Sequence, residues 1–327
     1  MFRFLSPLCL FAVLLASCSA SATPTSSAAT IPPTTAPEPT MTPAPPAPAF
    51  IILAYATEGI IPEIIPYDKL THINYSFLTP KTDGTFNSIS NGWKLKKIVE
   101  TARAHDVRVC ISVGGWGWDA QFEELAATPE TRSAFVRNLQ AFVDEYQLDG
   151  VDMDWEYPDP GPSSQNFLAL IKELRSAMPD KLLTTAVVSY GDDNGSGVPS
   201  ESFELFDFVN VMTYDGPDHG TMDQFERGLS YWSGRGIPKE KIVMGVPFYG
   251  DPGTPYFKIV QADPSAAQLD SFDYSGTILH YNGIPTIQAK TRIAMERAGG
   301  IMFWALDHDT QGDLSLVNAI HQTVQEP

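Results

Sequence analysis

Cysteine is nearly absent from this 327-residue chain. Three residues, at 9, 18 and 110, supply neither a disulfide framework nor a cysteine-based metal site. The six histidines are scattered, with no pair at helical ligand spacing, which argues against zinc. Basic residues are scarce too: 21 Lys and Arg against 39 Asp and Glu give a formal charge of -18. Nucleic acid and anionic membrane surfaces are bound through Lys and Arg, so this balance argues against both and leaves neutral substrates open. No glycine-rich phosphate loop follows the first apolar run, which argues against a doubly wound nucleotide-binding sheet.

What is present begins with "MFRFLSPLCLFAVLLASC" (1–18). One Arg precedes an apolar run of about a dozen residues, too short to span a bilayer and suited to a signal peptide. Leu15-Ala16-Ser17-Cys18 resembles the bacterial lipoprotein signal. That resemblance implies export, lipidation at Cys18, and a lipid anchor in the cell envelope as the only membrane contact. Ordinary cleavage after Ala22 would give a secreted protein instead. Residues 19–49 are almost wholly Ser, Thr, Ala and Pro. They cannot bury enough apolar surface to offset their ordering entropy and read as a semi-extended linker.

From Phe50 to Pro327 short apolar runs alternate with helix-period segments. The strand candidates are "FIILAY" (50–55), "HINYSF" (72–77), "RVCISV" (108–113), "GVDMDW" (150–155), "LTTAVV" (183–188), "DFVNVMT" (207–213), "IVMGVP" (242–247) and "GIMFWAL" (300–306). Amphipathic helices lie between them, with apolar stripes at Phe135, Leu139, Phe142, Val143, Tyr146 and at Phe167, Leu170, Ile171, Leu174. Eight strands alternating with helices predict a single α/β domain, a (β/α)8 TIM barrel. Cys110, inside an apolar run, reads as a small core residue.

One strand carries an anomaly. "DGVDMDWEYP" (149–158) places Asp152, Asp154 and Glu156 on every second residue. Alternate side chains of a strand share a face, so these carboxylates stand about 6.6 Å apart in a row. Carboxylates this crowded cannot all ionise cheaply; their pKa values spread, and one stays protonated near neutrality as a general acid. Pairing with Arg or a metal cage are the plainer readings, but basic and histidine neighbours are lacking in this stretch. Asp149, before Gly150, reads as a turn residue at the start of the strand.

Asp149, Asp152, Asp154 and Glu156 match the D-x-x-D-x-D-x-E motif of glycoside hydrolase family 18, the chitinase family. "SVGG" (112–115), "MTYD" (212–215), "GVPFYG" (245–250) and "GGIMFW" (299–304) resemble its other segments, in the same order. The resemblance implies a cofactor-free hydrolase acting on chitin or chitooligosaccharides, with the substrate's acetamido oxygen as nucleophile. It makes Glu156 the general acid and base, Asp154 the partner of the acetamido N–H, and Asp152 the residue that tunes Asp154. Tyr214 would grip the acetamido oxygen, and Asp215 and Met212 would touch the bent sugar. Trp304 would floor the cleft and Trp116 would form a platform. Tyr55 and Ser112 resemble positions that hydrogen-bond the inner aspartate and complete the sugar-binding set; a packing role is their other reading.

Two departures shape the expectation. Residues 251–298 must supply a barrel helix at "TIQAKTRIAMERA" (286–298), leaving no room for the sizeable α+β insertion of many relatives. A shallow, open groove and endo cutting are expected. Asp251 stands where relatives often carry Arg. The alternatives are an endo-β-N-acetylglucosaminidase on glycoprotein glycans and a chitin-binding lectin without activity. A monomer is the expected state.

Overall fold

The eight apolar runs become eight parallel strands that close on one another. In the computed structural model, which describes residues 50–326, they are β1 (Ile51–Thr57), β2 (His72–Leu78), β3 (Arg108–Gly114), β4 (Gly150–Asp154), β5 (Leu182–Val188), β6 (Phe208–Met212), β7 (Ile242–Pro247) and β8 (Gly300–Trp304). Their order around the barrel follows the chain, and Ile51 of β1 lies opposite Gly300 of β8. This is a TIM barrel. The signal segment with Cys18 and the linker 19–49 lie outside the described residues.

Register decides what faces inward. Ser112 of β3 lies opposite Asp152 of β4, which lies opposite Thr184 of β5; one inward-facing level on, Gly114 faces Asp154. Val151, Met153 and Trp155 take the other face and are buried in the layer between strands and helices. A second apolar cluster, which includes Leu53, Phe208, Val243 and Met302, fills the barrel interior.

The helix Pro129–Tyr146 shows why the outer layer forms. Thr128 caps it by accepting from the Thr131 N–H, Pro129 opens its first turn, and Gln147 ends it in the left-handed conformation. Its stripe buries Phe135, Leu139 and Val143, with Phe142 and Tyr146 at the margin. Phe167, Leu170, Ile171 and Leu174 of the next helix, Pro162–Ala177, are all buried. Each such side chain contributes about 1.5–3 kcal/mol, far more than the exposed ion pairs of the helical layer. Cys110 is buried and unpaired.

The helical layer is less regular than the alternation predicts. After β1 only 3-10 turns form, at Pro62–Ile64 and Tyr67–Lys69. After β5 there are a four-residue turn, Asp192–Gly195, and the 3-10 segment Ser200–Leu205. Pro62 and Pro66 break the first connection, and Gly191, Gly195, Gly197 and Pro199 the second. β8 also ends earlier than expected, at Trp304, and Leu306–His308 turn into a 3-10 segment.

Between β7 and β8 the chain makes a hairpin of Tyr249–Gly250 with Thr254–Pro255, a helix Tyr256–Ala262, and a hairpin of Ser271–Tyr274 with Thr277–His280. The barrel helix Ile284–Arg297 follows. No sizeable insertion domain interrupts the barrel.

Candidate active site

The carboxylate row runs along β4 from the barrel interior to its mouth. Asp152 is fully buried and accepts four hydrogen bonds. The hydroxyls of Tyr55 (2.9 Å) and Ser112 (2.8 Å) donate to Oδ2. The Thr184 hydroxyl (2.6 Å) and the Asn210 amide (3.1 Å) donate to Oδ1. Burial pushes this carboxyl up from its ordinary value, and the four donors pull it back toward the ionised form. Asp149 keeps to the strand start, where its Oδ2 accepts from the Val109 N–H at 2.8 Å.

Asp154 lies one level nearer the mouth, 3% exposed, with Oδ1 buried and unpartnered. Burial first, then the charges of Glu156 and Asp152, push its carboxyl well above the carboxylate range. Glu156 stands just past the end of β4. Burial raises it to about 7, with a contribution from the Asp215 charge and an opposing hydrogen bond from Tyr157. The row is therefore graded. Asp152 has the donors a carboxylate needs, Asp154 favours the neutral acid, and Asp154 and Glu156 titrate as a pair.

A cavity of about 160 Å3 opens over Asp154 and Glu156, walled by Tyr55, Phe77, Trp116, Met212, Tyr214, Asp215 and Trp304. A wider concavity of about 470 Å3 shares Trp116, Glu156, Asp215 and Trp304 and adds Tyr157, Tyr249, Gly253 and His308. Trp304 is held flat against Phe77 (5.3 Å between centroids, 18° between planes) and tilted against Tyr55. Trp116 projects from the rim with 79% of its surface exposed. Tyr214 is buried, its hydroxyl 3.9 Å from the Met302 sulfur, and the Tyr249 hydroxyl donates to Asp215 Oδ1. Among the described residues, no group of three His, Cys, Asp or Glu side chains is arranged to hold a metal ion.

The structure gives "SVGG" a steric reason. Gly114 has φ +111°, and a Cβ there would lie 2.4 Å from the Asp154 carbonyl oxygen. Gly115 has φ +87°, and a Cβ there would meet the Phe77 ring at 2.7 Å. Both glycines let the loop after β3 lie on the backbone of Asp154, whose carbonyl accepts from the Gly115 N–H at 2.8 Å.

The expected residues gather in one place, with one correction. Ser112 does not reach the cavity. It lies a level deeper, opposite Asp152, and is fully buried, so its contact is with the aspartate and not with a sugar. Tyr55 both bonds Asp152 and lines the cavity. Asp251 is exposed and lines a separate concavity beside the loop after β6. Sequence reasoning missed Thr184, Asn210, Phe77, Tyr157, Tyr249 and His308. The first two carried a readable signal, a polar residue at an inward position of an apolar strand.

A carboxyl that stays protonated near neutrality, a shielded neighbour, and aromatic faces suit proton donation to a stacked sugar. Chitinase 1 of Aphanocladium album is 24% identical over 342 residues, covering 80% of this chain and 81% of that one. Probable chitinase 10 of Drosophila melanogaster is 31% identical, and the match covers 66% of this chain but 11% of that much longer protein. The crystal structure of a chitinase from Bacteroides thetaiotaomicron superposes with a TM-score of 0.77 at 29% identity, covering 85% of this chain and 97% of that one. Residues 52–309 match the profile of Glycosyl hydrolases family 18, and the chain belongs to that family.

Proposed function

We propose that the protein is an endo-acting chitinase that cleaves β-1,4 bonds between N-acetylglucosamine units with retention, using the substrate's acetamido oxygen as nucleophile. The observation that carries this reading is the pairing of Glu156, held near a pKa of about 7, with the shielded Asp154. Glu156 protonates the leaving oxygen while the acetamido oxygen attacks C1. It then takes a proton from the incoming water. Asp154, whose Oδ1 has no protein partner, accepts the acetamido N–H through that oxygen and holds the acetamido group for attack. Asp152 holds Asp154 to its task through charge and position. The Tyr214 hydroxyl steadies the acetamido oxygen, Trp304 stacks under the sugar, and Met212, Asp215 and the exposed Trp116 complete the track. The short β7–β8 connection supports an open groove and internal cutting.

Proton NMR of the chain cutting a chitin tetrasaccharide tests this. The β-anomeric disaccharide is expected first, before mutarotation. An early α-anomer overturns the mechanism. Binding without turnover moves the reading to a lectin, and cleavage of glycoprotein glycans alone moves it to an endo-β-N-acetylglucosaminidase.

We also infer from Leu15–Cys18 that the protein is exported and lipidated at Cys18, with residues 19–49 as its tether. Intact-mass analysis from the native host is expected to show a diacylglyceryl mass on a chain beginning at Cys18. An unmodified N-terminus at Thr23 overturns the anchor.

A further inference from the structure

We propose that His219 is a positioning residue for Asp215, clamping that aspartate in the cleft through two hydrogen bonds that only the neutral imidazole can make. Asp215 occupies the left-handed region, φ +62°, which non-glycine residues adopt uncommonly and aspartate more readily than most, and the contacts around the turn select that conformation. The Asp215 N–H donates to His219 Nδ1 at 3.0 Å. On the other side of the ring, Nε2 lies 3.2 Å from the Tyr249 carbonyl oxygen. A carbonyl only accepts, so Nε2 carries the proton and Nδ1 carries none. The Tyr249 hydroxyl donates to Asp215 Oδ1, which closes a ring: Asp215 backbone, His219, Tyr249, Asp215 side chain. Gln224 braces the same turn, donating to the carbonyls of Tyr214 (3.1 Å) and Asp215 (2.9 Å) while accepting from the Gly220 N–H (2.9 Å). None of this depends on the chitinase reading. The effect on turnover does.

Protonation at Nδ1 would set two donors against each other and release the Asp215 N–H. Several charges face the ring. Asp215 (Oδ1 to Nδ1 3.8 Å) and Asp251 favour the cation, while Lys290 opposes it. Asp218, Asp270 and His280 line the adjoining concavity. Burial outweighs these charges and holds the imidazole below its ordinary 6.5. The 3.8 Å approach to Asp215 is thus a neutral contact and no ion pair. The clamp holds at neutral pH and opens on the acid side.

The test uses the full chain. Side-chain 15N NMR is expected to show His219 as the neutral Nε2–H tautomer at pH 7, with Nδ1 gaining a proton only below the ordinary 6.5. His219→Ala, which removes both bonds, is expected to lower kcat on a chitin tetrasaccharide by about 10- to 100-fold with little change in KM, the cost of misplacing a group by about an ångström. In His219→Asn the amide oxygen replaces Nδ1 as acceptor and does not titrate. It is expected to recover most of kcat and to lose the acid limb assigned to His219. A cationic or Nδ1–H His219 at pH 7 overturns the proposal. So does a folded His219→Ala enzyme with wild-type kcat, or a His219→Asn enzyme with the wild-type acid limb. If His219→Ala does not fold, the Asn variant and the NMR decide. A wild-type chain that leaves chitin uncut removes the chitinase reading, and the NMR still decides the clamp.

Discussion

Glu156→Gln is expected to lower kcat on a chitin tetrasaccharide by about 10²- to 10⁴-fold, the contribution of a positioned acid–base group. Sugar binding should be retained. The amide is isosteric with the carboxyl and keeps its place beside Tyr157, but it has no acidic proton for the leaving oxygen. Residual activity above about one-tenth of wild type would remove Glu156 from the role of acid. The same residue sets a pH signature. Only the protonated form donates, so wild-type kcat should fall as pH rises through about 7. Stability follows the same sign, because the folded pKa lies above the ordinary 4.5. The stabilisation is fully present below pH 4.5 and is lost as pH rises through about 7, amounting to at most about 3 kcal/mol. Glu156→Gln does not incur that loss. Its melting temperature at pH 8 should exceed that of the wild type, and the two should converge below pH 4.5. Equal melting temperatures at pH 8 would mean that burial is not what raises this carboxyl.

Period-two patterning makes the barrel and the carboxylate row legible in the amino-acid order itself. Val151, Met153 and Trp155 must share one face, so Asp152, Asp154 and Glu156 must share the other. The irregular connections after β1 and β5 are not legible from a general alternation of strand and helix, because their prolines and glycines override it. Depth is hidden too. The resemblance gives Ser112 its bond to the inner aspartate but also counts it in the sugar-binding set, because a strand pattern says which face a residue takes and not how far below the mouth it sits. Only the register against Asp152 shows that. Thr184 and Asn210 are legible in principle, since a polar side chain facing a barrel interior needs a buried partner. Tyr249 and His219 are not. Their importance arises where the loops after β6 and β7 meet, and no local pattern encodes that contact.

Asp152 separates positioning from chemistry, and its replacement should be the most destabilising change in the site. Asp152→Leu keeps the branching at Cγ, with more bulk, but leaves Tyr55, Ser112, Thr184 and Asn210 pointing at methyl groups inside the barrel. Each orphaned buried donor costs about 1–3 kcal/mol. Hydroxyls can turn to other acceptors and the Asn210 amide cannot, so a net loss of about 3–5 kcal/mol is expected, a fall in melting temperature of about 10 °C for a domain of this size. Asp152→Asn should behave differently. Its oxygen still accepts from Thr184 and Asn210, and the hydroxyls of Tyr55 and Ser112 can rotate to accept from the new amide, so most of the stability should remain. Its effect should appear in the chemistry. The Asp152 charge is one cause of the raised Asp154 carboxyl; without it Asp154 ionises at lower pH, and the pH–kcat profile should shift acidward. Thermal melts and pH–rate profiles of the two variants check this. A Leu variant that melts within about 2 °C of wild type would show that the four donors are satisfied elsewhere. An Asn variant with an unshifted profile would show that Asp152 acts through hydrogen bonds alone.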